Sequence, residues 1–139
     1  MSEKFVQENL SKPKEESTPE VFSGLIATIE ADPMRVRDAY VLKFPSDEAM
    51  TTIRVVLNDY SGADLVITNM TTLPHEQTGS GLGSKAIQEL LKWATSKNME
   101  DIRAVQVQRQ SENFWIKNSF ERLPEPNPTS DFAYRNSSS

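Results

Sequence analysis

Residues 78–86, Thr78-Gly79-Ser80-Gly81-Leu82-Gly83-Ser84-Lys85-Ala86, place three glycines at alternate positions between an extended apolar run and a helical pattern. From Leu82 onward, Ala86, Ile87, Leu90, Leu91 and Ala94 recur at the spacing of one helix face. Glycine admits backbone conformations and close approaches that a Cβ would block. A helix that starts in such a turn has free N–H groups and the positive end of its dipole at one place. The stretch therefore reads as a cradle for a phosphate, with a tight turn that binds nothing as the plain alternative.

The spacing argues against two of the commoner phosphate cradles. A P-loop needs four residues between its glycines, followed by Gly-Lys-Ser/Thr. Here the order is Gly83-Ser84-Lys85, with the lysine one place late. A dinucleotide fingerprint needs a third glycine three residues after Gly81, where Ser84 stands, and an acidic residue at the end of a second strand. Glu100 and Asp101 fall before the next strand instead.

A chain of 139 residues is the size of one domain. With 20 acidic against 15 basic residues and a net charge of −5, general nucleic-acid or anionic-membrane binding is disfavoured. No cysteine is present, which removes disulfides and thiolate metal sites, and His75 alone cannot build a multi-histidine site. The absence of a long apolar run makes a cytoplasmic protein the default expectation.

Residues 1–17 read as a flexible polar tail and 136–139 as a frayed C-terminus, with one domain over 18–135. Thr18-Pro19-Glu20 has the chemistry of a helix start, and Phe22, Leu25, Ile26 and Ile29 continue as an amphipathic stripe ended at Asp32-Pro33. Strands are expected over Ala39–Phe44, Thr51–Asn58 and Asp64–Leu73. Met50, Ile53, Leu57 and Tyr60 also fit a helix, so residues 51–58 stay open between the two. After the long helix come a strand over Ile102–Gln108, a short helix capped by Ser111, and strands over Phe120–Leu123 and Asp131–Arg135. The fold class is α/β in the mixed α+β sense: a mostly antiparallel central sheet flanked by helices.

This order, with the residues at two positions, resembles the GNAT superfamily of acetyl-coenzyme A-dependent N-acetyltransferases. The family's turn is Arg/Gln-Gly-x-Gly-x-Gly/Ala opening a helix. Thr78-Gly79-Ser80-Gly81-Leu82-Gly83 matches each glycine and has Thr78 in place of the Arg or Gln. The second signature, an aromatic pair followed by Gly-Phe, is met by Phe114-Trp115-Ile116-Lys117-Asn118-Ser119-Phe120, with Ser119 in the glycine position. The resemblance covers about residues 36–135.

The resemblance implies that acetyl-CoA is the co-substrate. Its pyrophosphate would lie on Thr78, Gly79, Ser80, Gly81, Leu82, Gly83 and Ser84, and its pantetheine arm beside Thr72 and Leu73, where the strand before the turn splays from the next. Asn113 and Gln108 are candidates to bond the arm, or to cap and flank the short helix. Acyl transfer to an amine requires orientation, removal of a proton and shielding of an oxyanion, without a metal. Relatives often use a tyrosine where Trp115 stands, and indole is a poor proton donor. The nearest equivalent of their glutamate base is Asp64, which also reads as a turn carboxylate beside Gly62. His75 and Tyr134 are further catalytic candidates, with an exposed loop position and sheet packing as their plain alternatives. Three functions follow: an N-acetyltransferase acting on a small-molecule or protein amine, an inactive module that binds coenzyme A or a protein, and a nucleotide-binding domain, which the spacing disfavours. The resemblance also implies a homodimer as one arrangement.

Overall fold

The computed structural model describes residues 20–32, 38–46, 49–59, 61–73 and 81–134. Within them a seven-stranded sheet carries two helices. The strands are β1 (Thr28–Ala31), β2 (Ala39–Pro45), β3 (Met50–Leu57), β4 (Leu65–Leu73), β5 (Ile102–Ala104), β6 (Phe120–Arg122) and β7 (Phe132–Tyr134). The helices are α1 (Leu82–Ser96) and α2 (Glu112–Lys117). The sheet order is β1-β2-β3-β4-β5-β7-β6. β4 and β5 run parallel, and the other neighbouring pairs run antiparallel. Mixed α+β architecture and a mostly antiparallel sheet are thus as expected.

β3 settles the ambiguity over residues 51–58 in favour of a strand. Thr51, Ile53, Val55 and Leu57 are buried and alternate with half-buried Thr52, Arg54 and Val56. That is the period of a strand with one covered face. Ile53, Val55, Leu65 and Ile67 pack on Ile87, Leu90 and Leu91 of α1, and the aromatic cluster of Trp115, Phe120 and Phe132 extends the same core. α1 ends as its sequence indicates: the Lys97 N–H returns to the Trp93 and Ala94 carbonyls, and Asn98 takes a left-handed φ of 64°.

The expected amphipathic helix beginning at Thr18 is not what the described residues form. Glu20–Phe22 makes one 3-10 turn, Gly24 follows at φ 92°, and Thr28–Ala31 pairs with β2 as the edge strand β1. The apolar spacing misled because Phe22 and Ile26 do not share a face. Phe22 is wedged between Tyr40 and Trp93, whereas Ile26 is 79% exposed. The Trp93 indole N–H donates to the Ser23 carbonyl at 3.2 Å and holds the turn against α1. Thr18 and Pro19 lie outside the described residues, as do the terminal segments read as tails.

Ser119, in the position where the resembled family has glycine, adopts φ 75°. A left-handed backbone costs a residue with a Cβ about 1–2 kcal/mol, which explains the preference for glycine there. Ser119→Gly is therefore expected to raise the unfolding free energy by about 1 kcal/mol, net of the extra freedom glycine gives the unfolded chain. Urea denaturation of the two proteins measures it, and an unchanged or lower midpoint would mean that the turn bears no strain.

Candidate functional site

The site begins where β4 and β5 part. They are in register at Leu65–Ile102, Val66–Arg103 and Ile67–Ala104, and the Val105 N–H still reaches the Ile67 carbonyl at 3.1 Å. β4 then continues to Leu73 along β3, whereas β5 stops. Gln106 has φ 56° and donates its N–H to Asp131 Oδ1 at 3.2 Å, and the Val107 N–H goes to the Ser130 carbonyl at 2.8 Å. Those bonds pull the chain off β4 and toward the segment before β7. The expected strand over Ile102–Gln108 is cut short for this reason.

β4 is irregular at the same level. The register with β3 shifts between Arg54 and Val55, so Thr68 is an extra residue and its hydroxyl lies 3.4 Å from the Arg54 carbonyl. Such a bulge bends a strand and re-aims the residues beyond it. Among the described residues no strand pairs with the far edge of β4 after Ile67.

The parted strands hold a cleft of about 760 Å³. Thr68–Thr72 of β4 forms one wall and Ala104–Gln108 the other; Gly81, Gly83 and Ser84 close the end, and Phe114, Trp115 and Lys117 of α2 cover a side. Gly81 precedes α1 with φ 94°, and its carbonyl accepts from the Lys85 N–H at 3.0 Å, so the first intrahelical bond starts after Ser84. Among the described residues no side-chain oxygen caps α1. The N–H groups of the first turn lack the usual helical partners, and a bound anion is one way to satisfy them.

The candidate residues divide accordingly. Thr72, Gly81, Gly83, Ser84, Gln108 and Trp115 come together on the cleft. The Thr72 hydroxyl is also paired with that of buried Thr51 at 2.9 Å. Leu82 turns away, into a smaller cavity of about 320 Å³ that it shares with Phe44 and Thr51. Leu73 is 50% exposed at the end of β4 and does not line the cleft. Asn113 is exposed on the outer side of α2 and does not line the cleft either, since Ser111, Phe114, Trp115 and Lys117 occupy its inner side. Tyr134 packs on Phe120 at 5.6 Å, as its plain alternative requires. His75, Thr78, Gly79 and Ser80 lie outside the described residues.

Asp64 does not serve the cleft. It precedes β4, and its Oδ2 accepts the Glu100 N–H at 2.8 Å and the Asp101 N–H at 3.0 Å. The length of β4 puts it on the order of 25 Å from the glycine turn. Its carboxylate fastens the loop between α1 and β5 to the start of β4. Asp64→Ala is expected to lower stability by about 1–3 kcal/mol, the cost of stranding those donors, and to leave any acyl-transfer rate per folded molecule unchanged. Denaturant titration alongside a turnover assay checks both, and a stable but inactive variant would return Asp64 to the chemistry.

Sequence reasoning missed Thr68, Met70, Gln110 and Lys117 as cleft residues. Lys117 was legible in principle, since it lies two residues after Trp115 on the short helix. Two groups with altered titration stand elsewhere. The hydrogen bonds to Asp101, at 2.8 and 3.0 Å, hold the Arg103 guanidinium above its ordinary value. Burial, and then the Asp38 carboxylate, raise the Tyr40 hydroxyl.

No family model matches the chain, and no curated protein matches it. Among solved structures 11 chains match. One, from the crystal structure of the KacTA–DNA complex, is 14% identical over 91% of this chain and 79% of that chain, with a TM-score of 0.49. Agreement at that level carries no conclusion about fold or function.

Proposed function

We propose that this protein is a GNAT-like N-acetyltransferase that takes acetyl-CoA in the cleft and passes the acetyl group to a primary amine. The observation that carries this reading is the parting of β4 from β5 directly against the glycine start of α1. Beyond Ile67 the edge of β4, which no strand among the described residues pairs, offers main-chain donors and acceptors to an extended amide-bearing arm. The first turn of α1 offers N–H groups to a diphosphate. Lys117 is the one cation among the described lining residues and suits an anionic ligand on a chain whose net charge is −5.

In the reaction the amine nitrogen attacks the thioester carbonyl carbon. The oxyanion collapses, the C–S bond breaks and coenzyme A leaves as thiolate, while the ammonium proton passes to a base or to water. Orientation of the two reactants supplies a large part of such catalysis. A second reading, a module that binds coenzyme A without turnover, is favoured by one feature: the described lining residues include no carboxylate, histidine or tyrosine.

Isothermal titration with acetyl-CoA tests what the two readings share, and micromolar affinity is the expected result. Thiol release with a panel of amine acceptors then separates them, since turnover belongs only to the enzyme. Failure of the wild-type protein to bind acetyl-CoA would overturn both.

A further inference from the structure

Asn118 is 3% exposed and stands between the two helices that border the cleft. Its Oδ1 accepts from Gln88 Nε2 at 2.8 Å, and its Nδ2 donates to the Phe114 carbonyl at 2.9 Å and to Ser84 Oγ at 3.1 Å. The orientation of the amide is set by chemistry. A backbone carbonyl only accepts, so the atom facing Phe114 must be the nitrogen, and the second proton of that nitrogen is then aimed at Ser84. Both protons are committed, and Ser84 Oγ is held as an acceptor.

From this geometry we infer that Asn118 is a positioning residue for the phosphate end of the cleft. By filling one lone pair of Ser84 Oγ, it leaves the Ser84 hydroxyl proton to be given to a ligand oxygen. Ser84 lies in the first turn of α1 and lines the cleft, so its O–H joins the main-chain N–H groups there as a further donor. The ligand chemistry selected is a phosphate ester or diphosphate, whose oxygens only accept. The inference rests on the coenzyme A reading and adds to it a side chain that never touches the ligand.

The test compares coenzyme A, which carries the diphosphate, with pantetheine, which does not, by isothermal titration. Ser84→Ala is expected to weaken coenzyme A about 10-fold, the loss of one hydrogen bond to a charged group, and to leave pantetheine unchanged. Asn118→Asp turns the donor into an acceptor that claims the Ser84 proton. It is expected to weaken coenzyme A at least as much, again sparing pantetheine, and to cost less in the Ser84→Ala background than alone. Equal losses for both ligands in Asn118→Asp would reduce Asn118 to a structural part and overturn the inference. Should that variant not fold, Ser84→Ala decides: coenzyme A affinity equal to wild type overturns the inference while the coenzyme A reading stands. A wild-type protein that binds no coenzyme A overturns both.

Discussion

Phe120→Ala is expected to remove about 3–5 kcal/mol of unfolding free energy, the usual cost of emptying a large aromatic site in a core. Total stabilities of single domains run at about 5–15 kcal/mol, so the variant would be marginal, with Tm lowered by on the order of 10–20 °C. Phe120 is 1% exposed, meets Trp115 edge-on at 4.9 Å between ring centroids, and packs on Tyr134 at 5.6 Å. Trp115 meets Phe114 at 5.1 Å in a second edge-on contact. The three aromatic residues of the α2–β6 segment therefore act as one packed unit, and two of them line the cleft. Loss of the Phe120 ring removes the support under Trp115, so ligand affinity should fall together with stability. Phe120→Leu keeps most of the volume and should lose less than half as much. Thermal and denaturant unfolding of both variants measures the effect. A loss under about 1 kcal/mol for the alanine variant would mean that the site collapses freely and that the cluster does not anchor α2.

That unit also accounts for Trp115, in the position where the resembled family often has tyrosine. A side chain only 7% exposed, with rings on two sides, is held by packing whatever its chemistry. The family resemblance marked Phe114-Trp115 and Phe120 as an aromatic signature with Ser119 in its glycine place, and Ser119 does adopt a left-handed φ of 75°. The courses of β2, β4 and α1 were legible because apolar runs closed by proline and helical spacing from Leu82 are local signals that the final packing reinforces, whereas β3 fitted a helix as well and was decided by its pairing with β2 and β4.

What the sequence concealed is decided by partners far along the chain. Ile102–Gln108 has the composition of a buried strand throughout, yet it leaves the sheet at Gln106 because Asp131 and Ser130 take its N–H groups. The bulge at Thr68 depends on register with Arg54 and Val55, which no local pattern encodes. Phe22 and Ile29 share a helical spacing, but Gly24 and the open edge of β2 convert the segment into a turn and a strand. Asp64 stayed open between a base and a turn carboxylate because its partners, the Glu100 and Asp101 N–H groups, lie far along the chain. The cleft arises from the first two of these features, so its walls were harder to read than its glycine end.

Gly83→Leu is expected to abolish coenzyme A binding, with a loss of at least about 100-fold, while the fold persists. Gly81 is a poorer choice for such a test. Its φ of 94° strains any side chain, although the space around it is open, so a substitution there mixes backbone cost with occupancy. Gly83 has no such strain; it lies in the first turn of α1, where leucine is favoured over glycine by about 1 kcal/mol of helix propensity. A Cβ at Gly83 would stand 3.1 Å from Met70 Cε and 3.5 Å from Phe114 Cε1. Alanine asks only that the flexible end of Met70 give way by a few tenths of an ångström, and Gly83→Ala should bind nearly as well as wild type. Leucine extends further toward Met70 of β4 and Phe114 of α2, into the space that the proposed coenzyme A reading gives to the arm. Titration of the three proteins, with unfolding curves to confirm comparable stability, gives a graded series at one position. Leucine and alanine variants that bind coenzyme A alike would place the ligand elsewhere than the space between Met70 and Phe114. A leucine variant that is folded and silent would show that the glycine is there for access rather than for the turn.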